Sequence, residues 1–415
     1  MLLPVGAALI AVLGLALSSA VTRADAGPFR ARDVARQAGI ARTVITHGEN
    51  CVFDYNGDGL EDLFLSTHYD GPWQLFRGMP GGTFVETNVG TFPTRDRHGC
   101  ATGDFNGDGR SDIYASIGGC HGACAAPKEL WIQQADGTFV DRAQEFGIDD
   151  PGGRGRQPIT IDANNDAWPD LFTGQAIGRA YPSPNRLWLN SGGASFVNPA
   201  GLPNEEIGNL CAASGDFDGN GYDDLIVCGK HTFRVYANGG GTWSDVTTAV
   251  GLSTRKRVDA ELADLDGDGD LDLITATENG VEVRLNEGGR FPTVSYALPL
   301  SDGRDLAIGD ADGDGDQDIY VCQGANATVP DLLLLNQGSG ASYVQFAGLP
   351  QATKGDGDTV QAIPDWNRSR AAFLVNNGAG AHAGPRQLIE FVGRVMGPRD
   401  NAGPGGTWYN RTRRP

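Results

Sequence analysis

The chain has 415 residues, 61 of them glycine, and sets 52 acidic against 32 basic residues for a formal charge of −20. That excess repels phosphate backbones and argues against nucleic acid as a partner, while 40% hydrophobic residues exclude a globally disordered chain. Abundant glycine with only 3 methionines favours many short strands and tight turns, an all-β class in which one domain can run long.

The N-terminus reads as a targeting segment. Residues 5–17 are apolar, and small residues follow up to Ala24-Asp25-Ala26, an A-x-A-like cleavage site, with a second candidate after Ala20. No Lys or Arg precedes the apolar run, and an uncleaved anchor is the alternative reading. The sequence therefore predicts a signal peptide over 1–26 and a single domain over 27–415, with no membrane span once the signal is removed. The expected location is secreted, extracellular or periplasmic.

Next comes Phe29-Arg30-Ala31-Arg32-Asp33-Val34, ending at Gly39-Ile40, which looks like the last strand of a repeat that has no beginning. From there a repeat runs to the C-terminus. Its first copy is Asp54-Tyr55-Asn56-Gly57-Asp58-Gly59-Leu60-Glu61-Asp62, and its second carries Asp104, Asn106, Asp108 and Asp112 at the same spacing. The third, over 162–170, keeps Asp162, Asn164, Asp166 and Asp170 but has Ala167 in place of a glycine. The fourth, fifth and sixth carry Asp216, Asp218, Asn220 and Asp224; Asp264, Asp266, Asp268 and Asp272; and Asp310, Asp312, Asp314 and Asp318. A degenerate seventh is read over 365–373, with Ser369 and Phe373 at its fifth and ninth positions.

Each copy brings the same flanks. An apolar run follows the last Asp, as in Leu225-Ile226-Val227-Cys228, then a segment such as Leu187-Trp188-Leu189-Asn190, then a glycine turn and an aromatic such as Gly137-Thr138-Phe139. Four short strands per period, seven times over, predict a seven-bladed β-propeller. Closure by the N-terminal strand at Phe29 is preferred over the competing Gly406-Thr407-Trp408-Tyr409, because it ties the ring shut and hides two sheet edges.

The acidic loops have the chemistry of Ca²⁺ sites. Oxygen ligands at positions 1, 3 and 5 converge, the glycine at position 6 allows the loop to curl, position 7 offers a carbonyl, and the Asp at position 9 closes the shell. Six loops hold 24 of the 52 acidic residues, a density that is strongly repulsive without cations. An EF-hand is ruled out because its twelfth position needs Glu, whereas this chain has Leu65, Ala115, Val227, Thr275 and Val321 there. Five complete loops predict five Ca²⁺ ions, with loop 162–170 a sixth candidate and loop 365–373 expected to hold none.

These motifs resemble the FG-GAP/VCBS repeat family, as found in integrin α-chain propellers and in the repeats of the ASPIC/UnbV group of cartilage acidic proteins. The resemblance covers about residues 29–415, and Asp150-Pro151-Gly152-Gly153-Arg154-Gly155-Arg156 is similar to a stretch in that group. It implies a seven-bladed propeller with Ca²⁺ in the hairpins of one face. It also implies adhesion, recognition or scaffolding rather than chemistry.

Seven cysteines in an exported chain suggest up to three disulfides. Cys211 and Cys228 flank the fourth loop at nearly opposite points of one hairpin. Cys51 and Cys100 lie on neighbouring inner strands, Cys120 and Cys124 bracket a small loop, and Cys322 is left over. No nucleophile motif, metalloprotease motif or phosphate loop occurs, so no catalytic residue is assigned. The function expected is a non-enzymatic module for an extracellular protein or glycan. A carbohydrate-active enzyme (lyase or hydrolase) or a lectin on the same scaffold is the alternative. The partner is expected over blades 1–3 on the face away from the metals, through loops 66–73, 116–128 and 174–185 with Tyr69, Trp73, Arg179 and Tyr181.

Overall fold

The computed structural model describes residues 29–393 apart from the segments 43–48, 66, 68–70, 88–90, 119–124, 177–183, 199–207, 325–328, 351–356, 367–369 and 378–383. The signal segment, Cys120, Cys124 and the Gly406–Tyr409 stretch lie outside the described residues, as do Tyr69, Arg179 and Tyr181.

Seven four-stranded antiparallel sheets follow one another around a ring. The inner strands Cys51–Phe53, Arg97–Gly103, Gly155–Ile161, Asn209–Gly215, Asp259–Ala263, Gly303–Gly309 and Gly357–Ile363 pack each against the next, the first against the last. The ring closes as the sequence led us to expect. The N-terminal strand Arg30–Asp33 pairs antiparallel with Gln387–Val392, placing Arg30 opposite Val392, and completes the last sheet from the other end of the chain. Contacts 358 residues apart in sequence, such as Arg32 with Glu390, thus hold the two ends of the described chain together.

The reason the second strand of each blade reads as a continuous apolar run is burial on both sides. Successive residues point to opposite faces, and each face meets another blade. Leu225 and Val227 pack towards blade 3 beside Ile159 and Leu187, while Ile226 and Cys228 pack towards blade 5 beside Ala260 and Leu273. The core is accordingly seven wedges between blades, not one central mass. The wedge between blades 7 and 1 joins Leu374 and Leu388 to Val52, Leu63 and Phe76.

The closing turn of a blade reaches the next. Ala38, Phe146 and Val250 each offer a carbonyl to the amide of an aromatic in the following blade, Phe84, Phe196 and Phe291, at 2.8 Å in all three cases. These turns are the Gly-Ile and Gly-Leu endings of the sequence repeat, and the one after Arg30–Asp33 behaves like the others. Two disulfides add to this. Cys51–Cys100 ties the inner strands of blades 1 and 2, with Cα atoms 6.0 Å apart. Cys211–Cys228 bridges directly opposed residues of one hairpin. Cys322 is a buried thiol 4.0 Å from Asp331 Oδ2.

Two expectations need correcting. In every acidic hairpin the residue before the loop pairs with the last Asp, as Gly309 does with Asp318. In blade 7 the corresponding pair is Ile363 with Ala372. The seventh loop therefore runs over 364–372, one residue earlier than the sequence reading, with Pro364 and Ala372 at the two key positions. Trp73, expected on a docking loop, is 2% exposed. Its ring packs 4.8 Å from that of Phe64 in the wedge between blades 1 and 2.

Candidate metal centres on one face

The six acidic loops share one geometry. The Asp at position 1 caps its own loop: Asp54 accepts the amides of Gly57 and Asp58 on Oδ1 and that of Gly59 on Oδ2, at 2.7, 3.1 and 2.7 Å. Asp104, Asp162, Asp216, Asp264 and Asp310 likewise accept the position 6 amide. Position 5 accepts the amide of position 7 on Oδ1 throughout, from Asp58, Asp108, Asp166, Asn220, Asp268 and Asp314.

The Asp at position 9 does something the sequence did not announce. Asp224 Oδ2 accepts the amide of Phe217 at the loop start, and Oδ1 accepts the amide of Asn238 at the end of the third strand, at 3.1 and 2.8 Å. Asp62, Asp112, Asp170, Asp272 and Asp318 repeat both bonds. This buried carboxylate clamps the second and third strands of its blade to the loop. Except at Asp62, whose Oδ2 also accepts from Asn56 Nδ2, each of its oxygens keeps a second lone pair for a cation.

The following Asn closes the repeated segment typified by Leu187-Trp188-Leu189-Asn190, and the sequence reading gave it no role. Asn238 Nδ2 donates to Ala163 O in the loop of the preceding blade at 2.7 Å and to Asp223 O at 3.0 Å. Its Oδ1 accepts the Gly241 amide at 2.9 Å. Asn190, Asn286 and Asn336 reach back in the same way to Phe105, Phe217 and Leu265. The signal was present as an Asn before a glycine turn at one position of four blades.

At three loops the carboxylates gather into a donor set of the right kind. Oxygens of Asp216, Asp218 and Asp224, of Asp264, Asp266 and Asp272, and of Asp310, Asp312 and Asp318 lie within 4.8 Å of one another. The backbone amides of Asp268 and Asp314 also donate to Asp266 Oδ1 and Asp312 Oδ1, each at 3.2 Å. An all-oxygen set of crowded carboxylates is what a hard divalent cation takes, so these residues fit Ca²⁺. Burial, then the charges of Asp314 and Asp310, push Asp312 up to about 7. Burial first and neighbouring loop carboxylates after it bring Asp62, Asp112, Asp170, Asp224 and Asp272 to about 7 as well.

Loops 1 and 2 differ because position 3 is Asn. Asn56 Nδ2 donates to Asp62, and Asn106 Nδ2 to Asp108. Their position 5 carboxylates carry arginine partners, Arg77 on Asp58 at 2.8 Å and Arg110 on Asp108. Arg77 holds the Asp58 carboxyl below its usual range. Loop 3 keeps the shared backbone path although Asn165 and Ala167 stand where the complete loops have glycine. Both adopt positive φ, 55° and 66°, and Asp162 caps the loop as its counterparts do.

The fold and its loops define a class: a seven-bladed β-propeller with acidic hairpins repeated on one face. The chain carries FG-GAP-like repeats, matched at residues 54–115, 216–275 and 264–321. It is similar to cartilage acidic protein 1 of Mus musculus, 30% identical over 214 residues, and of Homo sapiens, 29% identical over the same length. Each alignment covers 48% of this chain and 31% of the relative, so the match spans about a third of the length of those proteins. The solved structure of BBS1N in complex with ARL6DN shares the fold alone. It has 12% identity and a TM-score of 0.52, covering 85% of this chain and 94% of that one.

Proposed function

We propose that this protein is exported and works as a non-enzymatic recognition module, rigidified by Ca²⁺ in its acidic loops, for an extracellular protein or glycan. The observation that carries the metal reading is the convergence of three carboxylates at each of loops 4, 5 and 6, on loops whose backbone is already curled by the position 1 Asp. Bound Ca²⁺ supplies positive charge that offsets crowded carboxylates and so stiffens the hairpins of one face. The chain's part is to present the ligands: positions 1, 3 and 9 converge and position 5 stands beside position 3. The disulfides Cys51–Cys100 and Cys211–Cys228 support an oxidising compartment.

The partner is assigned to the face away from the acidic loops, over blades 1–3. Rigid scaffolds commonly carry recognition on their connecting loops, and Arg154, Arg156 and His98 gather beside Gly118 at that end of blades 2 and 3. The test is calorimetric titration of chelator-stripped protein with Ca²⁺, followed by protein and glycan arrays with and without chelator. Saturable binding with a raised melting temperature is expected, since a ligand that binds only the folded state stabilises it. No heat of binding and no thermal shift would reject the metal reading.

A further inference from the structure

The inner strands share a local irregularity. At the end away from the acidic loops, pairing with the second strand slips between Arg97 and Gly99, Gly155 and Pro158, Asn209 and Cys211, Gly303 and Asp305, and Gly357 and Thr359. A bulge leaves its extra residue outside the ladder and re-aims the side chain. In blades 2 and 3 the residues skipped are His98, Arg156 and Gln157.

The first two of these side chains meet at Gly118, just after the strand Asp112–Ile117. A Cβ placed on Gly118 would lie 2.2 Å from the His98 ring and 3.1 Å from Arg156 Nη1. Arg154 joins them, its Nε donating to the Gly118 carbonyl at 3.2 Å. A residue without a side chain is thus the floor on which an imidazole and two guanidinium groups gather. The acid at hand is Asp96, whose Oδ1 is 2.9 Å from His98 Nε2. Arg156 donates to the Gly155 carbonyl at 2.7 Å. Gln157, in the same bulge, is 4% exposed, and among the described residues neither atom of its amide has a hydrogen-bond partner.

We propose that Arg154, Arg156 and His98 form a binding site for a carboxylate on an acidic segment of a protein partner that docks on this face, as Arg95 and Arg97 nearby already pair with the carboxylate of Glu129. The proposal rests on the recognition reading above and names the chemistry of its ligand. Guanidinium groups suit carboxylate and sulfate because their paired N–H groups match two oxygens at once. Burial, then repulsion from Arg154, drives the Arg156 guanidinium down to about 10, against the opposing pull of Asp96. On a chain of −20 general attraction for anions is absent, so binding here depends on this local arrangement.

The experiment titrates the intact protein with sodium sulfate and, separately, sodium acetate, in a chloride background of constant ionic strength. Acetate is expected to bind saturably, with Kd of order millimolar, about −4 kcal/mol. Arg154→Gln is expected to weaken it about tenfold, the scale of one charge-assisted hydrogen bond. Saturable binding of sulfate without acetate would overturn the carboxylate assignment and point to a sulfated glycan. Should Arg156→Gln fail to fold, Arg154→Gln and Gly118→Ala, which crowds His98, still decide the matter. No saturable binding by either ion, or binding that Arg154→Gln leaves unchanged, would overturn the site. Oxyanion binding with no partner on either array would count against the recognition reading alone. A partner whose binding ignores Arg154→Gln would count against the oxyanion site alone.

Discussion

Replacing Asn238 with alanine tests whether the ring is held together by its asparagines. The side chain is fully buried and makes three well-placed bonds, to Ala163 O, to Asp223 O and from the Gly241 amide, at 2.7, 3.0 and 2.9 Å. At about 1 kcal/mol net for each, with an added penalty for stranding the Ala163 carbonyl in a buried place, the loss is about 3–4 kcal/mol. For a ring of this size melting as one unit, that lowers the melting temperature by about 4 °C. The comparison is Gln133→Ala, at the same position of blade 2. Its backbone amide meets Asp112, but among the described residues its side chain makes no bond to the neighbouring blade. The assay is differential scanning calorimetry of both variants in Ca²⁺ and in chelator. A fall at least twice as large for Asn238→Ala is expected in both conditions, because the staple is independent of the metal. Equal falls, or a shift under about 1 °C for Asn238→Ala, would refute the staple.

Ala167→Gly should stabilise the protein by about 1 kcal/mol, since φ of 66° suits glycine and strains a residue with a Cβ; denaturant midpoints measure it. Digestion of oxidised protein should release a peptide joining Cys211 to Cys228. Closing a loop of sequence separation 17 implies a loss of about 3 kcal/mol on reduction, and recovery of both as alkylatable thiols in unreduced protein would refute the pairing. Asp331 is held at about 6 by burial, above the ordinary carboxyl value of 3.8. Between those values the folded state binds the extra proton, so this group's contribution to stability falls as pH rises from about 4 to about 6. Asp331→Asn should flatten that slope in melts taken across the range, and an unchanged slope would refute it.

The parts of this molecule that were legible in the sequence are those written as a repeated chemical spacing. Seven blades, six acidic hairpins, the N-terminal closing strand and both pairings of Cys51–Cys100 and Cys211–Cys228 follow from period and register. The misreadings arise where a residue type imitates a role. Asp365 looks like the first ligand of a seventh loop, yet the pairing of Ile363 with Ala372 gives that position to Pro364. Trp73 stands in a stretch with the composition of a loop, but an indole ring filling the wedge beside Phe64 and Phe92 is better hidden than displayed. The Asn staples escaped because their partners lie 69–85 residues away, and nothing local in a strand ending in Asn says which carbonyl it will meet.

The two faces of the ring solve opposite electrostatic problems with the same β-strand geometry. On one face six of the seven blades carry an acidic hairpin, and in loops 4 to 6 the position 9 Asp serves twice, as the clamp on its own blade and as a member of the oxygen set. On the proposed Ca²⁺ reading, cation binding and blade integrity are coupled through single residues. Asp224→Asn should disturb both, whereas a position 3 change such as Asp218→Asn should remove ligand charge and leave the clamp. On the other face the bulges of blades 2 and 3 turn His98 and Arg156 out of the ladder, towards a glycine that gives them room. A repeated scaffold becomes specific where its copies differ, and the bulges of blades 2 and 3 differ from those of the other blades in carrying His98 and Arg156. If blades 2 and 3 carry recognition, Asp218→Asn should lower the affinity for Ca²⁺ and leave acetate binding at Arg154 unchanged. Loss of both in that variant would mean that the two faces communicate through the ring.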